Sequence, residues 1–159
     1  MRQTPSHETF SRRSILGYCV GGAASAALLA SATPSQAAGT TFKADLKGST
    51  EVPPNTSAGT GTVTATYDPA TKMLTWEGTY SGVTGPVTAA HFHGPAEAGK
   101  NAGVAIWISE KGSPLASPFK GSATLTDAQA ADLMAGLWYA NVHTAANPGG
   151  ELRGQLTKS

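Results

Sequence analysis

Two of the four histidines in this 159-residue chain lie two positions apart, in Ala89-Ala90-His91-Phe92-His93-Gly94-Pro95-Ala96. A third, His143, lies fifty residues further on, in Asn141-Val142-His143-Thr144. If Val87–His93 is a strand, His91 and His93 leave the same face with Cα atoms about 6.6 Å apart, at ~3.3 Å per residue. Imidazoles so spaced can converge on one ion. A strand ending in His143 could bring in the third ligand, and three neutral imidazoles suit zinc, copper, nickel or iron while leaving one coordination position open. The competing expectation is that the histidines are cross-strand partners, hydrogen-bonded to the backbone or to Asn141 and Glu151. On either reading Asn141, Glu151 and Arg153 are the candidates to surround the imidazoles. Asn141 shares a strand face with His143, Glu151 could orient an imidazole as an acceptor, and Arg153 alternates with Leu152 on what reads as a polar face.

The fourth histidine, His7, falls in a segment of different character. Ser11-Arg12-Arg13-Ser14-Ile15-Leu16 is a twin-arginine pattern, and it opens onto an uncharged stretch rich in Gly, Ala and Leu that runs to Ala30. Ser35-Gln36-Ala37 offers small residues for a signal peptidase. The expectation is a cleaved export signal over 1–37 and a mature domain over 38–159, periplasmic or secreted. An apolar stretch of this length and composition falls short of the roughly 20 residues needed to span a bilayer, so no membrane attachment is expected after cleavage. Cleavage would also remove Cys19, the only cysteine, so that no disulfide supports the mature fold. With Arg2, Arg12, Arg13 and Glu8 gone, 8 basic residues face 9 acidic ones, a formal net charge of −1. That balance gives no reason to expect a nucleic acid partner.

The elements that must position the histidines are short and closely spaced. Strands are expected at Thr41–Leu46, Gly61–Tyr67, Met73–Tyr80, Val87–His93, Ala102–Ser109, Phe119–Leu125, Trp138–His143 and Glu151–Leu156. Many alternate, as in Val63, Ala65 and Tyr67, and Gly, Pro and Asn punctuate them. Thr126-Asp127-Ala128-Gln129 is a capping-box pattern that starts one short helix ending near Gly136. The fold class is therefore all-β, an antiparallel sandwich of about eight strands with one short helix. Trp76 and Trp138-Tyr139 read as packing residues, and Glu51-Val52-Pro53-Pro54 reads as a turn rather than a binding loop. No Gly-x-Ser-x-Gly or Walker pattern occurs, so hydrolase and nucleotide chemistry have no support and no catalytic residue is assigned.

Several of these stretches, taken in order, resemble a known family. Leu46-Lys47-Gly48-Ser49-Thr50-Glu51-Val52-Pro53-Pro54, Thr88 to Ala96, Leu125 to Gln129, Tyr139 to Thr144 and Pro148 to Leu156 look like a CHRD domain, the module repeated in chordin and found singly in exported microbial proteins. The resemblance implies an extracytoplasmic domain and names no substrate. A weaker similarity runs to the Greek-key sandwich of copper-zinc superoxide dismutase, in which an H-x-H strand and a later Val-His supply copper ligands. By motif order it implies copper at His91, His93 and His143. The chain departs from that family in having no histidine left to bridge to a zinc and no cysteine pair. It also has Glu151 where that family has an arginine, with Arg153 two residues on.

Three functions follow as expectations. The first is an exported domain that binds one transition-metal ion, copper before zinc, for carriage or sequestration. The second is a structural or adhesive module of the cell envelope that binds a protein partner, and the third a weak dismutase-like enzyme.

Overall fold

Alternation of apolar with Thr, Lys and Asp side chains dictates one buried and one outward face along most of the chain, and the computed structural model shows where each face goes. It describes residues 39–109 and 113–159, so the expected signal segment lies outside the described residues. The strands are β1 (Thr40–Lys47), β2 (Thr60–Asp68), β3 (Met73–Ser81), β4 (Val87–His93), β5 (Val104–Ser109), β6 (Phe119–Thr124), β7 (Tyr139–Thr144), β8 (Leu152–Gln155) and β9 (Thr157–Lys158). They form one nearly closed antiparallel sheet in the order β5-β4-β7-β8-β1-β2-β3-β6, with β9 added beside β1. No helix among the described residues is long and apolar enough to cross a membrane.

The two halves of this sheet fold onto one another as a sandwich. Phe42 and Leu46 on β1, Val63 and Ala65 on β2, and Leu74 and Trp76 on β3 face Phe92, Ala140, Val142 and Leu152 from the other half, all of them buried. Trp76 meets Phe92 edge-on at 5.3 Å between centroids, although β3 and β4 stand near opposite ends of the strand order, so the contact crosses the core. Aromatic burial of this kind supplies much of the driving force for a domain without disulfides.

The helix α1 (Asp127–Met134) begins as its sequence implies. The Thr126 hydroxyl accepts from the Gln129 amide at 3.2 Å, and the Gln129 side chain accepts from the Thr126 amide at 2.9 Å. Leu133 is its fully buried anchor, while Met134 stays on the surface. The Gln129 side-chain amide also donates to the Ala105 carbonyl at 3.1 Å, fixing α1 beside β5.

The other face of β4, β7 and β8 is the one that carries chemistry. Register pairs His91 with Asn141 and Asn141 with Arg153, then His93 with Tyr139 and Tyr139 with Gln155, while Ala89 lies opposite His143. All of these side chains except Ala89 are polar or aromatic, and they share the side away from the core. Two loops roof this face, 48–59 and 94–103. Asn101 donates to the Val52 carbonyl at 3.1 Å, joining them, and Gln155 donates to the Ala96 carbonyl at 3.0 Å, pinning the second loop to β8. A polar patch on an outer sheet face is thereby buried under loops.

Candidate metal centre

The three histidines meet. One nitrogen from each of His91, His93 and His143 lies within 4.8 Å of the others. His91 and His93 converge because they are two apart on β4. His143 joins them because β7 is the hydrogen-bonded neighbour of β4, and with Ala89 opposite His143 its ring is the diagonal neighbour of His91, two residues along β4 on the same face. The ring centroids of His91 and His143 are 4.8 Å apart, and those of His91 and His93 5.2 Å.

Hydrogen bonds to two backbone carbonyls fix how the imidazoles present themselves. Nδ1 of His93 is 3.0 Å from the Ala102 carbonyl, and Nδ1 of His143 is 3.0 Å from the Pro148 carbonyl. A carbonyl can only accept, so each Nδ1 carries the proton and each Nε2 is a lone pair. The Nε2 of His143 takes its hydrogen bond from Nδ1 of His91 at 3.1 Å. The Nε2 atoms of His91 and His93 are buried with no partner. A buried lone pair without a donor is costly and calls for an occupant.

A single cation would meet that need at His93. Two nitrogens bound at ~2.0–2.1 Å around a tetrahedral ion stand about 3.3 Å apart, close to the 3.1 Å between His91 and His143. The residues therefore fit a transition-metal ion that would be held by Nδ1 of His91 and Nε2 of His93 and His143, the proton of His91 passing from Nδ1 to its Nε2. Carbonyl acceptors on the far nitrogens would hold both rings in orientation and raise their basicity.

Burial keeps the imidazoles neutral, as a ligand must be. It pushes His91 down to about 4, with smaller contributions from the charges of His143 and His93. Burial likewise lowers His93, which Arg153 and His143 reinforce and the Ala102 carbonyl opposes. It lowers His143 against the pull of the Pro148 carbonyl.

The residues expected to surround the imidazoles divide. Asn141 lines a cavity of about 170 Å3 together with His93 and His143, but its side chain donates to Glu51 Oε1 at 2.6 Å and not to a histidine. Arg153 lines the same cavity and is buried rather than part of a polar surface; its guanidinium lies 3.5 Å over the centre of the Tyr139 ring and donates to Asn101 Oδ1 at 2.8 Å and to the Lys100 carbonyl. Tyr139 in turn stacks on His93 at 4.8 Å.

Glu151 does not orient His143, whose Nδ1 is taken by Pro148. Gly150, at φ +131, turns the chain before β8 and rotates the Glu151 carboxylate toward the side that Thr144 faces. There it accepts from Ser57 Oγ at 2.7 Å, from the Thr84 amide at 2.8 Å and hydroxyl at 2.7 Å, and from the Thr144 hydroxyl at 2.5 Å. Burial works to raise this carboxyl, and the hydrogen bonds from Ser57, Thr144 and Thr84 override it, holding Glu151 down at about 2.

The residue that sequence reasoning passed over is Glu51. It is 6% exposed, lines the cavity with the histidines, and sits so close to Gly150 that a Cβ built there would lie 2.5 Å from its Oε1. Burial raises its carboxyl to about 7, opposed by the charge of Arg153 and the Val52 amide. The unfolded chain gives up this proton near the ordinary value of 4.5, so the folded state is penalised increasingly as pH rises through 7. Glu51→Gln should accordingly raise the melting temperature of the ion-free protein at pH 8, by about 4 °C, and change it little at pH 4.5. Thermal melts at the two pH values check this. A variant less stable at pH 8 than the parent would contradict it.

On its other side the histidine pair borders an opening of about 260 Å3 lined by Thr88, Ala89, Trp107 and Pro148 with His91 and His143. Trp107 is 48% exposed and packs T-shaped on His91 at 4.2 Å. No curated protein and no solved structure matches the chain. The family model for the CHRD domain matches residues 42–156, a span that runs from within β1 through β8 and takes in both roofing loops and all three histidines, and the chain belongs to the CHRD domain family.

Proposed function

We propose that the chain binds one transition-metal ion through His91, His93 and His143, with copper preferred over zinc, and that it carries or sequesters that ion outside the cytoplasm. The observation that carries this reading is the convergence of three imidazole nitrogens within 4.8 Å, two of the rings locked by backbone carbonyls so that Nε2 faces inward. An all-imidazole donor set suits Cu(II) above Zn(II) in intrinsic affinity. Two burying loops and depressed histidine pKa values suit retention in mildly acidic surroundings. The twin-arginine segment, whose route carries folded proteins, supports export after the site has formed. Binding alone requires only the ligands, so carriage ranks above catalysis, and dismutase-like turnover stands third.

Titration of the purified chain with Cu(II) and with Zn(II), followed by calorimetry and by tryptophan fluorescence, tests the reading. One Cu(II) per chain should bind, more tightly than Zn(II), with quenching of Trp107 beside His91. Failure to bind either ion would remove the proposal.

A second reading, an envelope module that binds a protein partner, is favoured by one feature. Among the described residues β5 pairs only with β4, and this edge strand presents Val104 and Trp107, 42% and 48% exposed. Unpaired edges with apolar side chains are pairing surfaces.

A further inference from the structure

The cavity beside His93 and His143 is lined by acceptors with too few donors. Glu51 and Asn141 are 6% and 3% exposed. Asn141 spends its amide group on Glu51, at 2.6 Å, and its Oδ1 has no partner. The cation in the lining, Arg153, is committed to Asn101, to the Lys100 carbonyl and to the Tyr139 ring. At about 170 Å3 the space holds a handful of water-sized groups, at ~30 Å3 each.

Buried acceptors of this kind are matched by a ligand that brings protons. Resting on the reading of the three histidines as ligands, we propose that Glu51 and Asn141 form a subsite for a small neutral hydrogen-bond donor at the open position of the histidine-held ion. Water fills it in the resting protein, and molecules such as hydrogen peroxide or hydroxylamine belong to the same class. The occupant directs its lone pair toward the ion and its protons toward the Glu51 carboxylate and the Asn141 Oδ1. An anion offers only lone pairs and meets a buried carboxylate and an amide oxygen, so the subsite selects against it. Glu51 is thus a residue that determines which small molecules reach the ion, a role unrelated to holding the ion itself.

Azide titration of the full chain loaded with one Cu(II), read from the azide-to-copper charge-transfer absorption, tests this. At pH 8, where the Glu51 carboxyl has given up its proton, removing this negative charge next to the incoming anion should tighten azide binding at least ~10-fold in Glu51→Gln relative to the parent. Equal or weaker azide binding by the variant would overturn the proposal. The parent protein provides an independent measurement: pulsed EPR of its Cu(II) form exchanged into D2O should show deuterons of a directly bound water. A parent site with no such deuterons would also overturn it. Were the parent to take up no copper at all, the metal reading itself would fall, an outcome distinct from copper uptake with unchanged azide affinity.

Discussion

A chain carrying His91→Ala together with His143→Ala should lose stoichiometric Cu(II) binding, with affinity falling at least ~100-fold for each ligand removed, while its ion-free form melts within a few degrees of the parent at pH 7. The two expectations belong together. His91 and His143 share one hydrogen bond in the ion-free protein, and burial works against both rings taking a charge. Below their ordinary value of 6.5 the unfolded histidines bind protons that the folded ones refuse, so the ion-free fold loses stability as pH falls from 6.5 toward the His91 value of about 4. Removing the two rings removes that penalty, and the double variant should resist mild acid better than the parent. For the same reason copper uptake by the parent should persist to about pH 5 and fail toward pH 4. If the histidines were instead structural partners, the double variant would be destabilised at neutral pH. Calorimetric titration and thermal melts of the same two proteins separate the outcomes.

The largest effect on stability should come from Glu151→Ala. One carboxylate collects Ser57 from the β1–β2 connection, Thr84 from the β3–β4 connection and Thr144 from the end of β7, while Asn55 donates to the carbonyls of Gly150 and Glu151 at 3.2 and 3.1 Å. Truncation strands four donors at once, the Thr144 hydroxyl fully buried and the Ser57 hydroxyl partly so, and empties a site that is itself wholly buried. A loss on the order of 3–5 kcal/mol is expected, lowering the melting temperature by roughly 10–20 °C in a domain of this size. Glu151→Gln retains one acceptor oxygen and should lose about half as much. Since the folded carboxyl is held at about 2 against an ordinary 4.5, its contribution is complete above 4.5 and is lost as pH falls through 2. Denaturant titrations at neutral pH and near pH 3 measure both effects; a Glu151→Ala variant within 1 kcal/mol of the parent would refute this role.

The contrast between the two glutamates shows what a sequence can disclose about such a site. Strict alternation placed His91 and His93 on one face, and the structure agrees, because side-chain direction along a strand is local information. The strands themselves and the Thr126–Gln129 cap were legible for the same reason, whereas β9, two residues long, carries no period to read. That His143 joins the pair depends on β4 and β7 being neighbours despite the two strands and a helix between them in sequence, and composition only hinted at it. Alternation failed at Glu151, where Gly150 breaks the strand and turns the carboxylate away from His143. Glu51 was invisible because the Pro-Pro segment following it reads as a turn; its importance comes from the fold of the loop over β7, where Asn141 and Gly150 meet it. An acid immediately before such a turn was the one available sign.

Everything proposed for this site depends on three imidazoles coordinating one ion. Pulsed EPR on the chain loaded with one Cu(II) counts them directly, through the remote nitrogens of each bound ring. Three imidazoles are expected, reduced to two in His93→Ala. A spectrum with one imidazole or none in the parent, or one unchanged in His93→Ala, would contradict it.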